Sequence, residues 1–183
     1  MRIISGEFKG RRLKSPPRGE VRPIQDKIKG AIFNMLQGRI VGAKVLDLFA
    51  GSGSFGLEAL SQGASHLTFV EGDWKLAQLL EQNLHLLDGK RRGVVLQDDV
   101  ISVIENLARG KKMFDLIFSD PPYGRDLAKL SLLRVAEYGI LTPSGIMIIE
   151  VGKKQDLPEG VRDLVLVERR LYGGTAVVFY RRS

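Results

Sequence analysis

The chain has 183 residues, no cysteine and a formal net charge of +7 at pH 7. This length suits one domain with its own core, and the lack of cysteine excludes disulfides and cysteine-ligated zinc or iron–sulfur sites. The N-terminal stretch has no apolar run of the signal-peptide kind, and no segment is apolar over the length of a membrane span. We therefore expect a cytoplasmic protein that does not contact a membrane.

The positive charge is concentrated at the N-terminus. Residues 1–30 hold nine basic and three acidic side chains, which leaves a net charge of +1 for the remainder. Clustered cations bind nucleic acid by releasing counterions from its phosphates, although a basic terminus can also simply be solvated. Glycines and prolines among the charges indicate a loop or hairpin, and an amphipathic helix pattern follows over residues 25–38. We predict a basic appendage over residues 1–38, with candidate phosphate contacts at Arg2, Lys9, Arg11, Arg12, Lys14, Arg22 and Lys27.

Strand and helix patterns alternate over most of residues 39–183. The predicted strands cover residues 44–49, 66–71, 93–98, 114–120 and 145–151, and the predicted helices cover residues 55–63, 75–87, 100–108 and 127–139. This alternation predicts an α/β domain with a parallel sheet and helices on both faces. Residues 164–182 differ, because two strand patterns are joined through Tyr172-Gly173-Gly174 without a helix. They predict an antiparallel hairpin at the end of the domain.

A glycine-rich loop follows the first predicted strand. The sequence DLFAGSGSFG contains Gly51-x-Gly53-x-x-Gly56 between a strand and a helix, where glycines let the backbone approach a ligand. A tight strand–helix turn alone would also need glycine. Glu71 lies 20 residues after Gly51, at the end of the second strand. A carboxylate there can accept hydrogen bonds from both hydroxyls of a ribose, which favours a nucleoside-containing cofactor.

Other acids near these strand ends narrow the choice of cofactor. Asp98 or Asp99 could accept a hydrogen bond from an adenine amino group, with Val100 packed on the ring. NAD and S-adenosylmethionine both contain a ribose and an adenine, so these contacts do not distinguish the two cofactors. Asp47 favours the second, because a carboxylate four residues before Gly51 would pair with a methionine amino group and repel a pyrophosphate. The candidate cofactor residues are Asp47, Phe49, Gly51, Gly53, Gly56, Glu71, Asp98, Asp99 and Val100.

The stretch SDPPYG, residues 119–124, comes directly after the strand pattern FDLIF. Its prolines would interrupt a strand or helix, so the stretch is either a plain proline-rich turn or a built socket. An exocyclic amine on a nucleobase is a poor nucleophile, because its lone pair is delocalised into the ring. Hydrogen bonds from that amine to the Asp120 carboxylate and the Pro121 carbonyl would localise the pair, and the rigid Pro121-Pro122 backbone would hold the carbonyl in place. Tyr123 offers a flat face on which an extruded base can stack.

These motifs resemble the amino-group methyltransferases that use S-adenosylmethionine, and more narrowly the bacterial RsmD family of small-subunit ribosomal RNA guanine-N2 methyltransferases. The resemblance is carried by RIISGEFKGRRL, RPIQDKIKGAIFNML, DLFAGSGSFGLEALSQGA, VEGD, SDPPY and YGGTAVVFY, which together extend over nearly the whole chain. It implies a class I, Rossmann-like methyltransferase fold, with a mostly parallel seven-stranded sheet and a reversed final strand. It also implies S-adenosylmethionine as cofactor and a guanine of 16S rRNA as substrate, presented by a small ribosomal subunit or its assembly intermediate.

The same residues admit other functions. A DNA methyltransferase acting on adenine N6 or cytosine N4 would use the same socket, but such enzymes usually carry a target-recognition domain. A methyltransferase of protein glutamine gives no reason for the basic appendage, and a non-catalytic ribosome-assembly factor would not need Asp120. We therefore expect a monomeric methyltransferase that transfers the methyl group directly and needs no metal, with Arg125 as a further phosphate contact.

Overall fold

A computed structural model describes residues 1–16, 26–87, 92–122 and 126–183. Of the predicted site residues, Arg22, Tyr123 and Arg125 lie outside this part of the chain, and so does the side chain of Lys27. None of the described helices is both long and apolar enough to cross a membrane.

Five helices and eight strands make up the described part of the chain. In chain order they are α1 (Asp26–Met35), β1 (Lys44–Leu48), α2 (Ser54–Ser61), β2 (His66–Val70), α3 (Trp74–Leu86), β3 (Gly93–Leu96), α4 (Val100–Arg109), β4 (Phe114–Ser119), α5 (Leu127–Tyr138), β5 (Leu141–Gly152), β6 (Gly160–Val161), β7 (Leu164–Tyr172) and β8 (Thr175–Arg182). The predicted alternation of strands and helices is confirmed.

All eight strands form one sheet in the order β3-β2-β1-β4-β5-β8-β7-β6. The first five strands of this order pair in parallel, and β8, β7 and β6 are added by antiparallel pairing. The chain runs outward from β1 to β3 and then returns to place β4 on the other side of β1. In such a sheet, ligands bind outside the carboxyl ends of the strands at the point where the order reverses, here between β1 and β4.

The predicted terminal hairpin is confirmed, because β7 and β8 pair antiparallel and are joined through Gly173 and Gly174. The predicted number of seven strands is wrong by one. The additional strand is β6, in which Gly160 and Val161 pair with the beginning of β7. Two residues are too few to show an alternating pattern, so this edge strand depends on its pairing with β7.

Helices cover both faces of the sheet, because successive side chains of a strand point to opposite faces. On one face, α1, α2 and α3 pack on a core that includes Val45, Phe118 and Ile148. On the other face, α4 and α5 pack on a core that includes Leu46 and Ile149. The face that carries α1 and α2 is called the α1/α2 face below.

The N-terminal hairpin, residues 1–13, packs on the α1/α2 face. Its two arms meet at an antiparallel bridge between Arg2 and Arg12, and Ile3 and Leu13 are buried in the same core as α1 and α2. The turn comes close to α2 at Gly6, where a Cβ atom would lie 2.0 Å from the carbonyl oxygen of Ser61. Only glycine fits there, and its φ of +80° is also one that glycine adopts readily.

A buried carboxylate on α2 holds the hairpin in place. Glu58, which is fully buried, accepts hydrogen bonds from the backbone N–H groups of Ile4 and Ser5 at 2.9 and 2.8 Å. Its charge is balanced by the buried Lys29 of α1, whose Nζ lies 3.4 Å from Glu58 Oε2. We call Glu58 and Lys29 the buried clamp. It joins the N-terminal hairpin, α1 and α2, the helix that follows the glycine loop.

Candidate active site

A cavity of about 610 Å³ opens at the carboxyl ends of the central parallel strands, where the strand order reverses. Seven of the nine predicted cofactor residues line it, as do three of the four predicted catalytic residues. These are Asp47, Phe49, Gly51, Glu71, Asp98, Asp99 and Val100, together with Asp120, Pro121 and Pro122.

The other two predicted cofactor residues, Gly53 and Gly56, are not among the residues that line the cavity. A Cβ atom at Gly53 would lie 2.5 Å from Leu80 Cδ2, and one at Gly56 would lie 2.5 Å from Phe69 Cε1. Gly53 also has a φ of +78°. The two glycines therefore allow α2 to pack closely on the sheet and on α3, and in this way they shape the loop that contains Gly51.

Asp47 lies at the bottom of the cavity, with 2 % of its surface exposed. Its Oδ2 accepts a hydrogen bond of 2.9 Å from the backbone N–H of Gly56, which joins β1 to α2. Burial raises the pKa of Asp47 well above its ordinary value; the Gly56 hydrogen bond opposes this, and the nearby charges of Asp120 and Glu71 add to it. A cation bound beside Asp47 would favour its charged form, so this position suits a positively charged ligand group.

Glu71 fixes the glycine loop to the end of β2. Its Oε2 accepts a hydrogen bond of 2.8 Å from the backbone N–H of Gly51, and its Oε1 accepts one of 2.9 Å from the N–H of Asp73. These bonds hold the carboxylate in one orientation. Each carboxylate oxygen can accept a further hydrogen bond, so Glu71 can still bind ligand hydroxyls.

Asp98 and Asp99 follow β3 and line the cavity too. Asp99 caps α4, because its Oδ1 accepts from the N–H groups of Ile101 and Ser102 at 3.0 and 3.1 Å. Asp98 Oδ1 accepts a hydrogen bond of 2.7 Å from the N–H of Asp99. Both side chains line the cavity, so both stay candidates for the adenine contact.

The proline-containing stretch begins where β4 ends and forms the cavity wall next to β1. Ser119 is anchored by a hydrogen bond of 3.0 Å between its Oγ and that of Ser131 in α5. Asp120 is half-buried, Pro121 is buried, and both line the cavity together with the exposed Pro122. Asp120 and Asp47 line the same cavity, and the charge of Asp120 helps to raise the pKa of Asp47.

Several residues that were not among the predicted site residues also line the cavity. The principal ones are Ile28 from α1, Phe55 from α2, Glu150 at the end of β5, and residues 172–175 between β7 and β8. Glu150 had a detectable signal, since it is an acid at the carboxyl end of a predicted strand. The turn at residues 172–175 was predicted as part of the terminal hairpin but not as part of the site, because its place in the cavity depends on β8 lying next to β5.

Five predicted phosphate contacts lie on the N-terminal hairpin or just after it, and all are exposed: Arg2, Lys9, Arg11, Arg12 and Lys14. The hairpin also contacts α3, because Arg11 donates to the carbonyl of Leu86 and Lys14 Nζ donates to Gln82 Oε1 at 2.8 Å. These cations are therefore presented by a segment that packs on the domain.

Comparison with known proteins identifies relatives over the full length of the chain. The family described as "Conserved hypothetical protein 95" matches residues 1–181. A Bacillus subtilis protein named "Putative rRNA methyltransferase YlbH" is 40 % identical, and the alignment covers 100 % of this chain and 99 % of that protein. The Escherichia coli "Ribosomal RNA small subunit methyltransferase D" is 32 % identical, with 100 % and 90 % coverage.

A solved structure agrees with the sequence comparison. The structure named "Putative methyltransferase yhhF from Escherichia coli" has a TM-score of 0.87 and 30 % identity, and covers 100 % of this chain and 98 % of that one. The predicted fold class is confirmed by this match and by a second structure of the same fold, named "Crystal Structure of the SAM Dependent Methyltransferase from Agrobacterium tumefaciens", which has a TM-score of 0.62 and 20 % identity and covers 89 % of this chain and 63 % of that one. The chain belongs to the family described as Conserved hypothetical protein 95.

Proposed function

We propose that this protein transfers a methyl group from S-adenosylmethionine to the exocyclic N2 amine of a guanine in 16S rRNA. The substrate is the small ribosomal subunit or its assembly intermediate, and the protein acts as a monomer in the cytoplasm. The observation that carries the proposal is that Asp120, Pro121 and Pro122 line the same cavity as Asp47 in β1 and Glu71 directly after β2. Relatives that match over the full length and are named as rRNA methyltransferases support the choice of RNA.

The half of the cavity between β1 and β3 fits S-adenosylmethionine. When bound, this cofactor supplies a methyl group on a positively charged sulfur. Among the described residues that line the cavity, six are acidic and none is basic, which favours a cationic ligand and opposes a pyrophosphate. Asp47 would pair with the methionine amino group, Glu71 with the ribose hydroxyls, and Asp98 or Asp99 with the adenine amine. Val100 would pack on the adenine ring.

Asp120 and Pro121 would orient the target amine. An acceptor on each N–H of the amine keeps the nitrogen lone pair out of the ring and directs it at the incoming methyl carbon. Asp120 can also accept the proton that the amine loses once the new nitrogen–carbon bond has formed. Pro122 stiffens the loop, and Tyr123 would stack on the base. No covalent enzyme intermediate is needed.

The basic residues would hold the RNA around this cavity. Arg2, Lys9, Arg11, Arg12 and Lys14 lie on or beside the N-terminal hairpin, and their exposed cations would release counterions from rRNA phosphates. Arg22, Lys27 and Arg125 are proposed as further phosphate contacts on the basis of sequence alone. Because the hairpin is fixed on α2 and α3, it would set a constant distance between the phosphates and the reacting base.

The proposal is tested by supplying methyl-labelled S-adenosylmethionine and small subunits from cells that lack this gene. Digestion to nucleosides and mass spectrometry then identify the labelled product. We expect N2-methylguanosine with the native protein and none with Asp120→Ala. Calorimetry should show that Asp120→Ala still binds S-adenosylmethionine, because the cofactor contacts are made by other strands.

Asp156→Ala serves as the matched control, because this aspartate is 97 % exposed and is not among the residues that line the cavity. It should leave the yield of N2-methylguanosine unchanged. Label in methyladenosine would overturn the proposed substrate. The absence of label from the RNA, with the cofactor still bound, would overturn RNA methylation altogether.

A further inference from the structure

Glu150, near the carboxyl end of β5, lines the cavity but has no role in the methyl transfer proposed above. It is 8 % exposed and lines the same cavity as Asp120 and Pro121. Side chains alternate along a strand, and Ile148 belongs to the core on the α1/α2 face. Glu150, two residues further on, therefore points to that face as well.

The register of the sheet places Glu150 beside Asp120. Ser119 of β4 is paired with Ile149 of β5, so the next residues on these parallel strands are Asp120 and Glu150. Phe118, two residues before Asp120, belongs to the core on the α1/α2 face, and continuing the alternation of β4 one step beyond Ser119 gives Asp120 the same face as Glu150. Neighbouring strands lie about 4.8 Å apart. Asp120, directly after β4, and Glu150, in β5, are therefore neighbours that line one cavity.

The bases that carry an exocyclic amine differ in the atom next to it on the Watson–Crick edge. In guanine the N2 amine is beside the N1–H group, which donates a hydrogen bond. In adenine and cytosine the amine is beside an unprotonated ring nitrogen, which accepts one. A carboxylate can only accept, so it binds the guanine edge and repels the ring nitrogen of the other two bases. An extruded base is recognised on this edge.

We propose that Glu150 determines the base specificity of the enzyme by accepting a hydrogen bond from the N1–H group of the target guanine. The inference rests on the proposed function, in which Asp120 and Pro121 hold the N2 amine. Asp120 alone can hold the amine of any of the three bases. Glu150 beside it accepts only the base whose amine has a donor as its neighbour.

The far wall of the cavity leaves space for a base on the Glu150 side. Gly173 and Gly174 line the cavity, and a Cβ atom built on either would meet no atom within 4 Å. Thr175, which is buried, follows directly and is paired with Gly152, two residues after Glu150. The β7–β8 turn therefore borders the end of the cavity at which Glu150 lies.

The test removes the N1–H group and the carboxylate separately and together. Mass spectrometry of subunits methylated by the native protein first locates the target guanine. Small subunits are then reassembled from 16S rRNA that carries either guanine or 2-aminopurine at this position. 2-Aminopurine keeps the N2 amine but has an acceptor at N1. Initial rates on both substrates are measured for the native protein, Glu150→Ala and Glu150→Gln, with calorimetric affinities for S-adenosylmethionine.

We expect the native protein to methylate guanine about 10- to 100-fold faster than 2-aminopurine, the factor that one specific hydrogen-bonded contact typically gives. In Glu150→Ala the guanine rate should fall by a similar factor, and the ratio of the two rates should shrink to about threefold or less. Glu150→Gln, of the same size, should also reduce the ratio, because its amide can donate to the N1 acceptor. 2-Aminopurine also lacks the O6 of guanine, which affects the rate ratio of the native protein and that of the variant alike. This effect therefore cancels when the two rate ratios are compared.

Glu159→Gln, an exposed glutamate nearby in the chain, is the matched control and should keep the native ratio. The proposal is overturned if Glu150→Ala and Glu150→Gln retain the native ratio. A large loss of cofactor affinity with that ratio retained would assign Glu150 to the cofactor instead. Failure of the proposed function is recognised separately, since the native protein would then leave no N2-methylguanosine in the first step.

Discussion

The buried clamp makes a strong prediction about stability, because Glu58 and Lys29 are both charged and almost fully buried. Among the described residues, Glu58 is the ion-pair partner of the Lys29 ammonium, so Glu58→Ala removes that partner together with the acceptor of two hairpin N–H groups. Breaking a buried pair from one side typically costs about 3–5 kcal/mol, because a charge stays buried without its counter-charge. The two hairpin N–H groups can form hydrogen bonds to water instead, so the loss of their bonds to Glu58 adds little to the cost.

For Glu58→Ala we therefore expect the free energy of unfolding to fall by about 3–5 kcal/mol. In a domain of this length that corresponds to a Tm lower by roughly 6–20 °C. Glu58→Gln keeps an acceptor for the backbone but removes the charge, so it separates the two contributions. The double variant Lys29→Met with Glu58→Met leaves no charge at the position of the buried clamp, so its free energy of unfolding should fall less than that of Glu58→Ala does.

Urea unfolding followed by circular dichroism measures the free energies, and amide hydrogen exchange at Ile4 and Ser5 reports on the hairpin. Both amides should exchange faster in Glu58→Ala, because they lose their acceptor. The explanation is refuted if Glu58→Ala costs less than about 1 kcal/mol, or if the two amides keep their native protection. A double variant that is as unstable as Glu58→Ala would show that the buried charge is not the cause.

Two other predictions concern the cavity and the glycines. Burial raises the pKa of Asp47 in the folded protein, so the free energy of unfolding should fall as the pH rises from the ordinary aspartate range to that raised value. Denaturation at several pH values should show this slope for the native protein and a smaller one for Asp47→Asn, and equal slopes would contradict the assignment. Gly53→Ala should destabilise by about 1–3 kcal/mol through its positive φ and its contact with Leu80. Gly30→Ala, inside α1 where a Cβ would make an ordinary contact of 3.7 Å with Ile4 Cδ1, should stabilise by about 0.5–1 kcal/mol. Thermal unfolding of both variants distinguishes strain from a general effect of alanine.

Much of the cofactor half of the site could be predicted from the sequence. The glycine loop, Glu71 and Asp98-Asp99 each follow a strand pattern, and the carboxyl ends of parallel strands meet at one edge of the sheet. The strand patterns were therefore sufficient to bring these residues together. The same holds for Asp120, whose strand is buried and continuous. Their distances to a ligand are not a property of the pattern, and the roles of the individual residues stay predictions.

The remainder of the base half of the site, beyond residues 120–123, could not be predicted in this way. The place of Thr175 and the glycines before it depends on β8 lying between β5 and β7, and strand order is a long-range property that local periodicity does not contain. Ile28 enters the cavity only because α1 packs on the α1/α2 face.

The N-terminal segment shows the same division. Its charge and its glycines predicted a basic loop or hairpin, because these are local properties of the chain. That Lys29 is buried while Arg12 is exposed follows from the position of Glu58 in α2, nearly thirty residues later in the sequence. Sequence alone thus determined which chemical groups stand at the strand ends, since alternation and turn chemistry are local. Only the tertiary structure decided which of them share one cavity, because that depends on pairing between distant strands and on the packing of α1 and α2 against them.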